Sequence, residues 1–334
     1  MSYSLTENHI PGRKIVFEGS EYLWLGGTNY LNIGAHPTFQ NALKQGIEQY
    51  SQNFGSSRRN NLQFSIWEEF EQALASHFGV ESAALCSSGL AAAQIAVQFT
   101  QQQGLTLNLA PQAHPALWRH PHKPFSGSYS EWISTHQKGQ ILVTDGIGTP
   151  WITTFDLSFA SKMDPSNYLI VDESHRVGIQ EIHLPCAGHL LQTASLSKAF
   201  GLPAGVILGS KKNIEEMKKD SFWVGSSPPN PAFCHAGLKS MEAYKEQAQQ
   251  SKALADRFAE KLLGFEVAVS YQAGYPAFCS KAPGLFEHLK SAGILVNQFA
   301  YPDITAPPVC RAILPTSLTL EDIDTITDAI KSYA

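Results

Sequence analysis

The sequence predicts an α/β fold built on a largely parallel, doubly wound sheet, followed by a smaller α+β part. Three observations carry this. Strand-like and helix-like patterns alternate from about residue 80 to 210, the signature of strands joined by crossover helices. A short apolar run, Tyr168-Leu169-Ile170-Val171, reads as a buried strand and ends in Asp172. A serine–glycine turn, Ser87-Ser88-Gly89, joins a strand to a helix. Such a turn aims backbone N–H groups and the positive end of the helix dipole at an anion.

Taken in order, residues 1–28 read as a tail and then a hairpin, with Ile15-Val16-Phe17 and Tyr22-Leu23-Trp24-Leu25 on either side of a glycine turn. A loop carries Asn29. Pro37 opens a helix that runs to about Tyr50. Asn53 to Asn60 is a polar loop. Ile66, Phe70, Leu74 and Phe78 recur every four residues, so 66–78 is a helix, closed by Gly79. Ser82–Cys86 is a strand and Leu90–Gln98 a helix. Leu105–Leu109 is the next strand and leads to His114. Residues 118–137 read as irregular and aromatic. Gln140–Thr144 is a strand ending at Asp145, and Asp156 to about Pro165 reads as a connecting helix before the Asp172 strand. Leu191–Ala194 leads to Lys198, and Ala204–Gly209 returns as a strand. Lys211–Lys219 is a charged helix. Residues 232–263 read as one long helix. Val267–Val269, Ile294–Val296 and Val309–Leu314 are expected strands of the smaller part, and a helix from Leu320 to Tyr333 carries Thr319 as its cap.

Composition bounds the function. The chain has 334 residues, 43% hydrophobic and 16% charged, which fits a globular protein of two domains or one large one. A net charge of −5 with no long basic run argues against nucleic acid as the main partner. The five cysteines are scattered, odd in number and without CxxC spacing. They read as reduced thiols of a cytoplasmic protein rather than a disulfide framework or zinc site. Met1-Ser2-Tyr3-Ser4 lacks the basic start and apolar run of a signal peptide, and no apolar stretch reaches the ~18 residues of a membrane span. Twelve histidines form neither HxxxH nor HExxH, so no metal is expected.

The chemistry centres on Thr193-Ala194-Ser195-Leu196-Ser197-Lys198-Ala199-Phe200-Gly201. No charged residue lies between His189 and Lys211 except Lys198. Burial disfavours the ammonium form of such a lysine, and a neutral amine can form a Schiff base with an aldehyde cofactor, most commonly pyridoxal phosphate (PLP). Ser195 and Ser197 offer hydroxyls to a phosphate. Asp172 stands 26 residues upstream, at a strand tip, where open α/β sheets bind ligands. A carboxylate there keeps the pyridine nitrogen of such a cofactor protonated. A plain surface turn lysine is the competing reading, and Asp145, which also ends a strand, competes with Asp172.

The runs VDESHRVG and SLSKAFG resemble the α-oxoamine synthases among the fold-type I PLP-dependent enzymes, the group of 8-amino-7-oxononanoate synthase and 5-aminolevulinate synthase. The resemblance extends from about Leu23 to the C-terminus, with gaps. It implies a large PLP-binding domain over 41–228, an N-terminal segment 1–40 joining a small domain, and that small domain over 229–334. It implies a Schiff base on Lys198, with Asp172 at the pyridine nitrogen and His175 reaching the phenolic oxygen. The phosphate falls to Ser88, Gly89, Leu90 and Ser195, and His114 stacks on the ring. Thr149 replaces the serine that donates to the phenolic oxygen. Ser227 reaches the phosphate bound by a second copy, which implies a homodimer with shared sites. Asn29 and Arg311 hold the amino-acid substrate, the guanidinium fork of Arg311 suiting its carboxylate.

The pattern departs from the family at Ala110, Ala113 and Ala116 around His114, and the chain is short. His175 stands three residues after Asp172, where many aminotransferases have tyrosine, and Val206 stands eight after Lys198, where they have arginine. The expected activity is decarboxylative condensation of an amino acid with an acyl-CoA. Class I/II transamination is the alternative, and a non-catalytic binding module of the same fold is a third.

Overall fold

The computed structural model describes residues 12–301 and 303–333; the tail expected over the first eleven residues lies outside them. Two compact units emerge. One comprises 36–149 and 153–244; the other comprises 150–152, 245–334 and the described part of Met1–Ala35.

The larger unit holds a six-stranded sheet in the order Ser82–Cys86, Gly205–Gly209, His189–Ser195, Tyr168–Asp172, Gln140–Asp145, Thr106–Leu109. The last four are parallel, and Gly205–Gly209 runs antiparallel to both of its neighbours. Alternate residues of each strand face opposite sides. Ile141, Val143, Ile170, Leu191 and Ile207 pack with Ala92, Ile95 and Ala96 of the helix Gly89–Gln101. Leu142, Leu169 and Val171 pack with Trp132 and Met163 on the other side. Coverage of both faces explains why these strands are apolar throughout.

The expected helices over 37–50 and 66–78 are present, the second closed by Gly79 in the left-handed conformation at φ 65°. Several expectations need correction. The connecting helix expected from Asp156 is only a 3-10 segment, Ser158–Lys162, because the carboxylate of Asp156 turns back to accept from Ser158 N. The stretch 118–137 is not wholly irregular. It contains the helix Tyr129–Thr135, capped reciprocally by Ser128 and Glu131. The helix expected over 232–263 is two, Pro231–Lys239 and Met241–Leu262; Ser240 breaks it by bonding to Gly237 O, a tightened turn.

In the smaller unit, Ser270–Tyr271, Ala277–Ser280, Pro308–Ile313 and Asn297–Ala300 form an antiparallel sheet. The strand expected at Val267–Val269 is displaced to Ser270–Tyr271. The hairpin Lys14–Phe17/Ser20–Trp24 pairs with Ile294–Leu295. The core is built on Phe258, Phe278, Leu285, Leu289, Ile323 and Ile326. The last helix is Leu320–Lys331, with Thr319 and Asp322 forming its capping box. Among the described residues no helix is long and apolar enough to cross a membrane.

Candidate active site

The register of the large sheet decides which side chains meet. Asp145 is paired with Asp172, and Asp172 with Thr193. Gly205 is paired with both Ser195 and Cys86. The carboxyl ends of five strands therefore lie along one edge of the sheet, and the Ser88 turn, the Asp172–His175 turn and the Lys198 loop all leave from it.

Lys198 is half-buried, and its Nζ lies 2.8 Å from Nε2 of His175. A neutral imidazole accepting at Nε2 carries its proton on Nδ1. Asp172 is buried, and its Oδ1 accepts from Ser174 N at 2.8 Å; the Ser174 hydroxyl accepts from Ser195 N at 2.8 Å. Ser174 thus ties the Asp172 tip to the start of the lysine loop. Glu173 points away into the protein. It is fully buried, ion-paired with Arg176 at 3.1 Å and bonded to Gln192 at 3.0 Å. Burial pushes its carboxyl up to about 7 against the pull of Arg176.

At the Ser88 turn, the serine hydroxyl caps the helix by accepting from Ala91 N at 3.1 Å. Gly89 is held against Ser195, since a Cβ there would come within 2.5 Å of the Ser195 Cβ and 2.8 Å of its Cα. The Ser195 and Ser197 hydroxyls bond to each other at 2.7 Å. His114 belongs to an exposed turn. Even so, burial of its ring lowers its pKa, with Asp172 pulling it up and Lys198 pushing it down, so the ring feels both charges. Its Nδ1 accepts from Ala116 N, and its own N–H donates to Asp145 Oδ2 at 2.9 Å.

The strand edge thus gathers Ser88, Gly89, His114, Asp172, His175, Ser195 and Lys198. Leu90 is exposed, Thr149 is half-buried in a turn, and Ser227 is exposed beyond the helix Ser221–Gly225. Asn29 and Arg311 belong to the smaller unit. There Arg311 is buried and donates to the Tyr30 hydroxyl at 2.8 Å, which lies 3.1 Å from that of Tyr275. Asn29 is exposed and donates to Asn32 Oδ1 at 3.3 Å.

Several residues of these clusters were not singled out from the sequence. Ser174 and Glu173 stood inside a quoted motif, but a motif does not show which way a side chain points. Arg58 stacks on Trp223 at 4.0 Å and donates to Leu85 O and Ser226 O at 2.7 and 3.2 Å, tying the strand end before Ser88 to the loop before Ser227. It stood in the polar loop 53–60, which carries no periodicity to show where a side chain reaches.

This donor set fits pyridoxal phosphate. A half-buried amine beside an imidazole can take the aldehyde, a buried strand-tip carboxylate suits the ring nitrogen, and a capped helix N-terminus packed against Ser195 suits the phosphate.

A family model described as "Aminotransferase class I and II" matches residues 134–330. The chain is 25% identical to an 8-amino-7-oxononanoate synthase of Thermosipho melanesiensis, over 97% of this chain and 91% of the relative. Among solved structures it is similar in fold to an 8-amino-7-oxononanoate synthase from Francisella tularensis, with TM-score 0.72, 17% identity and coverage of 93% and 97%. It is also similar to a high-resolution SPT structure with a PLP internal aldimine, with TM-score 0.80, 16% identity and coverage of 97% and 90%. These findings bear out the resemblance read from VDESHRVG and SLSKAFG. With its strand-edge amine, imidazole and carboxylate in place, the chain belongs to the aminotransferase class I and II family, the fold-type I pyridoxal-phosphate-dependent transferases that include the α-oxoamine synthases.

Proposed function

We propose that this transferase condenses an amino acid with an acyl-CoA, releasing carbon dioxide and free CoA, in the manner of 8-amino-7-oxononanoate synthase. The observation that carries the reading is the 2.8 Å pairing of Lys198 with His175, because the histidine occupies the place where a transaminase commonly has tyrosine. When bound, pyridoxal phosphate supplies the electron-accepting ring that makes an amino-acid α-carbon acidic. Lys198 Nζ anchors the cofactor and then moves the α-proton, and His175 Nε2 orients that amine. Such general acid–base work is worth about 10²–10⁴-fold. Asp172 holds the proton on the ring nitrogen. The Ser88–Leu90 helix start and Ser195 take the phosphate, His114 covers the ring, and Thr149 donates near the phenolic oxygen. Arg311 and Asn29 take the substrate, Arg311 through its carboxylate.

Ser227 lies in an exposed loop beside exposed Phe222, and Leu90 and Trp118 of the same unit are also exposed. By the family resemblance Ser227 reaches the phosphate bound by a second copy, and its exposure leaves it accessible to one, so the working form is read as a homodimer. Five free thiols accord with a cytoplasmic setting.

Transamination is the second reading, favoured by the name of the matching family. Relatives named as synthases set aside the non-catalytic module. The test mixes holoenzyme with a panel of amino acids, with and without acyl-CoAs. Release of free CoA supports condensation. Keto-acid-dependent amine exchange without CoA release replaces it with transamination.

A further inference from the structure

Asp145 and Asp172 end adjacent parallel strands and are register partners. Neighbouring strands lie about 4.8 Å apart, so two carboxyl groups meet at the strand tips, and their residues are only 7% and 8% exposed. Their hydrogen bonds differ. Asp172 bonds within its own turn, to Ser174 N. Asp145 reaches back 31 residues and accepts from the backbone N–H of His114 at 2.9 Å. The His114 ring is pinned in turn by Ala116 N at 3.1 Å. The turn that presents the imidazole is therefore fastened at its root by the Asp145 carboxyl.

We propose that Asp145 is a positioning residue that holds His114 as a neutral carboxylic acid, leaving Asp172 as the single anion of the paired strand tips. The inference rests on the reading of Asp172 and His114 as cofactor contacts. Two carboxylates at adjoining buried positions cannot both ionise cheaply. The bond to His114 does not need a charge, because a protonated acid keeps a carbonyl oxygen that accepts. The groups facing Asp145 are Asp172 and Glu173 from the neighbouring strand and its turn, Lys198 from the lysine loop, and Tyr129 from the helix Tyr129–Thr135. Arg176 crowds the adjoining Gly146. Burial, and then the Asp172 charge, hold the Asp145 carboxyl well above the usual range against the pull of Lys198 and the His114 N–H. Division of labour follows: one carboxyl carries charge to the cofactor ring and the other sets the ring cover.

The test uses holoenzyme and reads the visible cofactor band from pH 5 to 9, together with the rate of cofactor release into an aldehyde scavenger. Neither readout depends on the acyl donor or on which reaction is catalysed. Asp145→Asn keeps the acceptor oxygen and removes the titratable proton. It is expected to leave both the band's midpoint and the release rate unchanged. Asp145→Val removes the acceptor and is expected to speed release about 2- to 10-fold, the worth of one neutral hydrogen bond. Asp145→Val with His114→Ala should release no faster than His114→Ala alone. A midpoint moved by about a unit or more in Asp145→Asn, the size of a lost neighbouring charge, would show an ionised Asp145 and overturn the proposal. So would a wild-type release rate in Asp145→Val, or effects of the two substitutions that multiply. His114→Ala releasing cofactor at the wild-type rate would sink the stacking reading itself, and this proposal with it.

Discussion

The amine Nζ of Lys198 and the imidazole Nε2 of His175 stand 2.8 Å apart, although the two residues leave from different strand ends. The neighbouring strands ending at Asp172 and Ser195 run parallel, so their loops leave from the same edge. Ser174 fastens the two loops by accepting from Ser195 N. The amine is therefore held by the sheet rather than by the flexibility of its own side chain.

That arrangement predicts an asymmetry between the two partners. Lys198→Ala should bind cofactor without the yellow band that borohydride fixes onto the wild-type lysine. His175→Ala should keep the fixed band and lose about 10²-fold in turnover, within the range for a group that assists proton transfer. The check is mass spectrometry after borohydride treatment, set beside steady-state rates. A Lys198→Ala protein that still carries fixed cofactor would place the attachment elsewhere.

Gly89 makes a prediction about packing. Its would-be Cβ meets backbone and Cβ atoms of Ser195 at 2.5 to 3.0 Å, and these cannot swing aside. Gly89→Ala should therefore cost about 1–3 kcal/mol through overpacking. It should also loosen cofactor binding, because the turn and Ser195 must part. Urea unfolding of the apoprotein and cofactor titration measure the two effects. Unchanged values for both would mean that the turn is free to move.

Much of this site could be read in the sequence, for a physical reason. Lys198, Asp172 and His175 lie within three residues of strand ends, and strand ends in an apolar sheet are marked by an abrupt change of polarity. The antiparallel return of Gly205–Gly209 could also be anticipated, because the link from Ser195 is too short for a helical crossover. What stayed hidden is contact between a side chain and distant backbone. The Asp145 bond to His114 N and the Arg58 bonds to Leu85 O and Ser226 O leave no periodicity behind. The helix Tyr129–Thr135 is a different case. Its Ser128–Glu131 capping box has the same form as the Thr319–Asp322 box of the last helix. Its seven residues are too few to repeat an apolar face, and the surrounding aromatics masked it.

Glu173 predicts a pH dependence of stability. Its folded-state pKa is raised to about 7 by burial, above the ~4.3 of an unfolded chain. Between those values the native state binds more protons than the unfolded one, so stability falls as pH rises from about 4.5 to 7 and levels off above. The contribution is on the order of 3 kcal/mol across that window. Glu173→Gln removes this titration while keeping an acceptor for Arg176 and Gln192, and should make the apoprotein's stability fall less steeply over pH 5–7, leaving the part contributed by the other buried carboxyls, Asp145 and Glu71. Urea unfolding at a series of pH values checks this. A variant as pH-dependent as wild type would show that the Arg176 pair keeps Glu173 ionised throughout.

The guanidinium of Arg311 gives the last prediction. It is buried, held at Nη2 by the Tyr30 hydroxyl, and its Nε finds no hydrogen-bond partner among the described residues. Its hydrogen-bonded companions here, Tyr30 and beyond it Tyr275, are neutral hydroxyls. A buried cation with a guanidinium nitrogen left without a hydrogen bond among the described residues is costly, and an arriving carboxylate repays that cost in a bidentate bond. If Arg311 reads the substrate carboxylate, the wild type should strongly prefer an amino acid over its amide. Arg311→Ala should lose about 10- to 200-fold in kcat/KM for the acid, the worth of hydrogen bonds to a charged group, and little for the amide. Tyr30→Phe removes the hydroxyl that aims the guanidinium, so it should raise KM for the acid more than it lowers kcat. Equal losses for acid and amide in Arg311→Ala would make the residue structural, and the search for the carboxylate's partner would move to other cations.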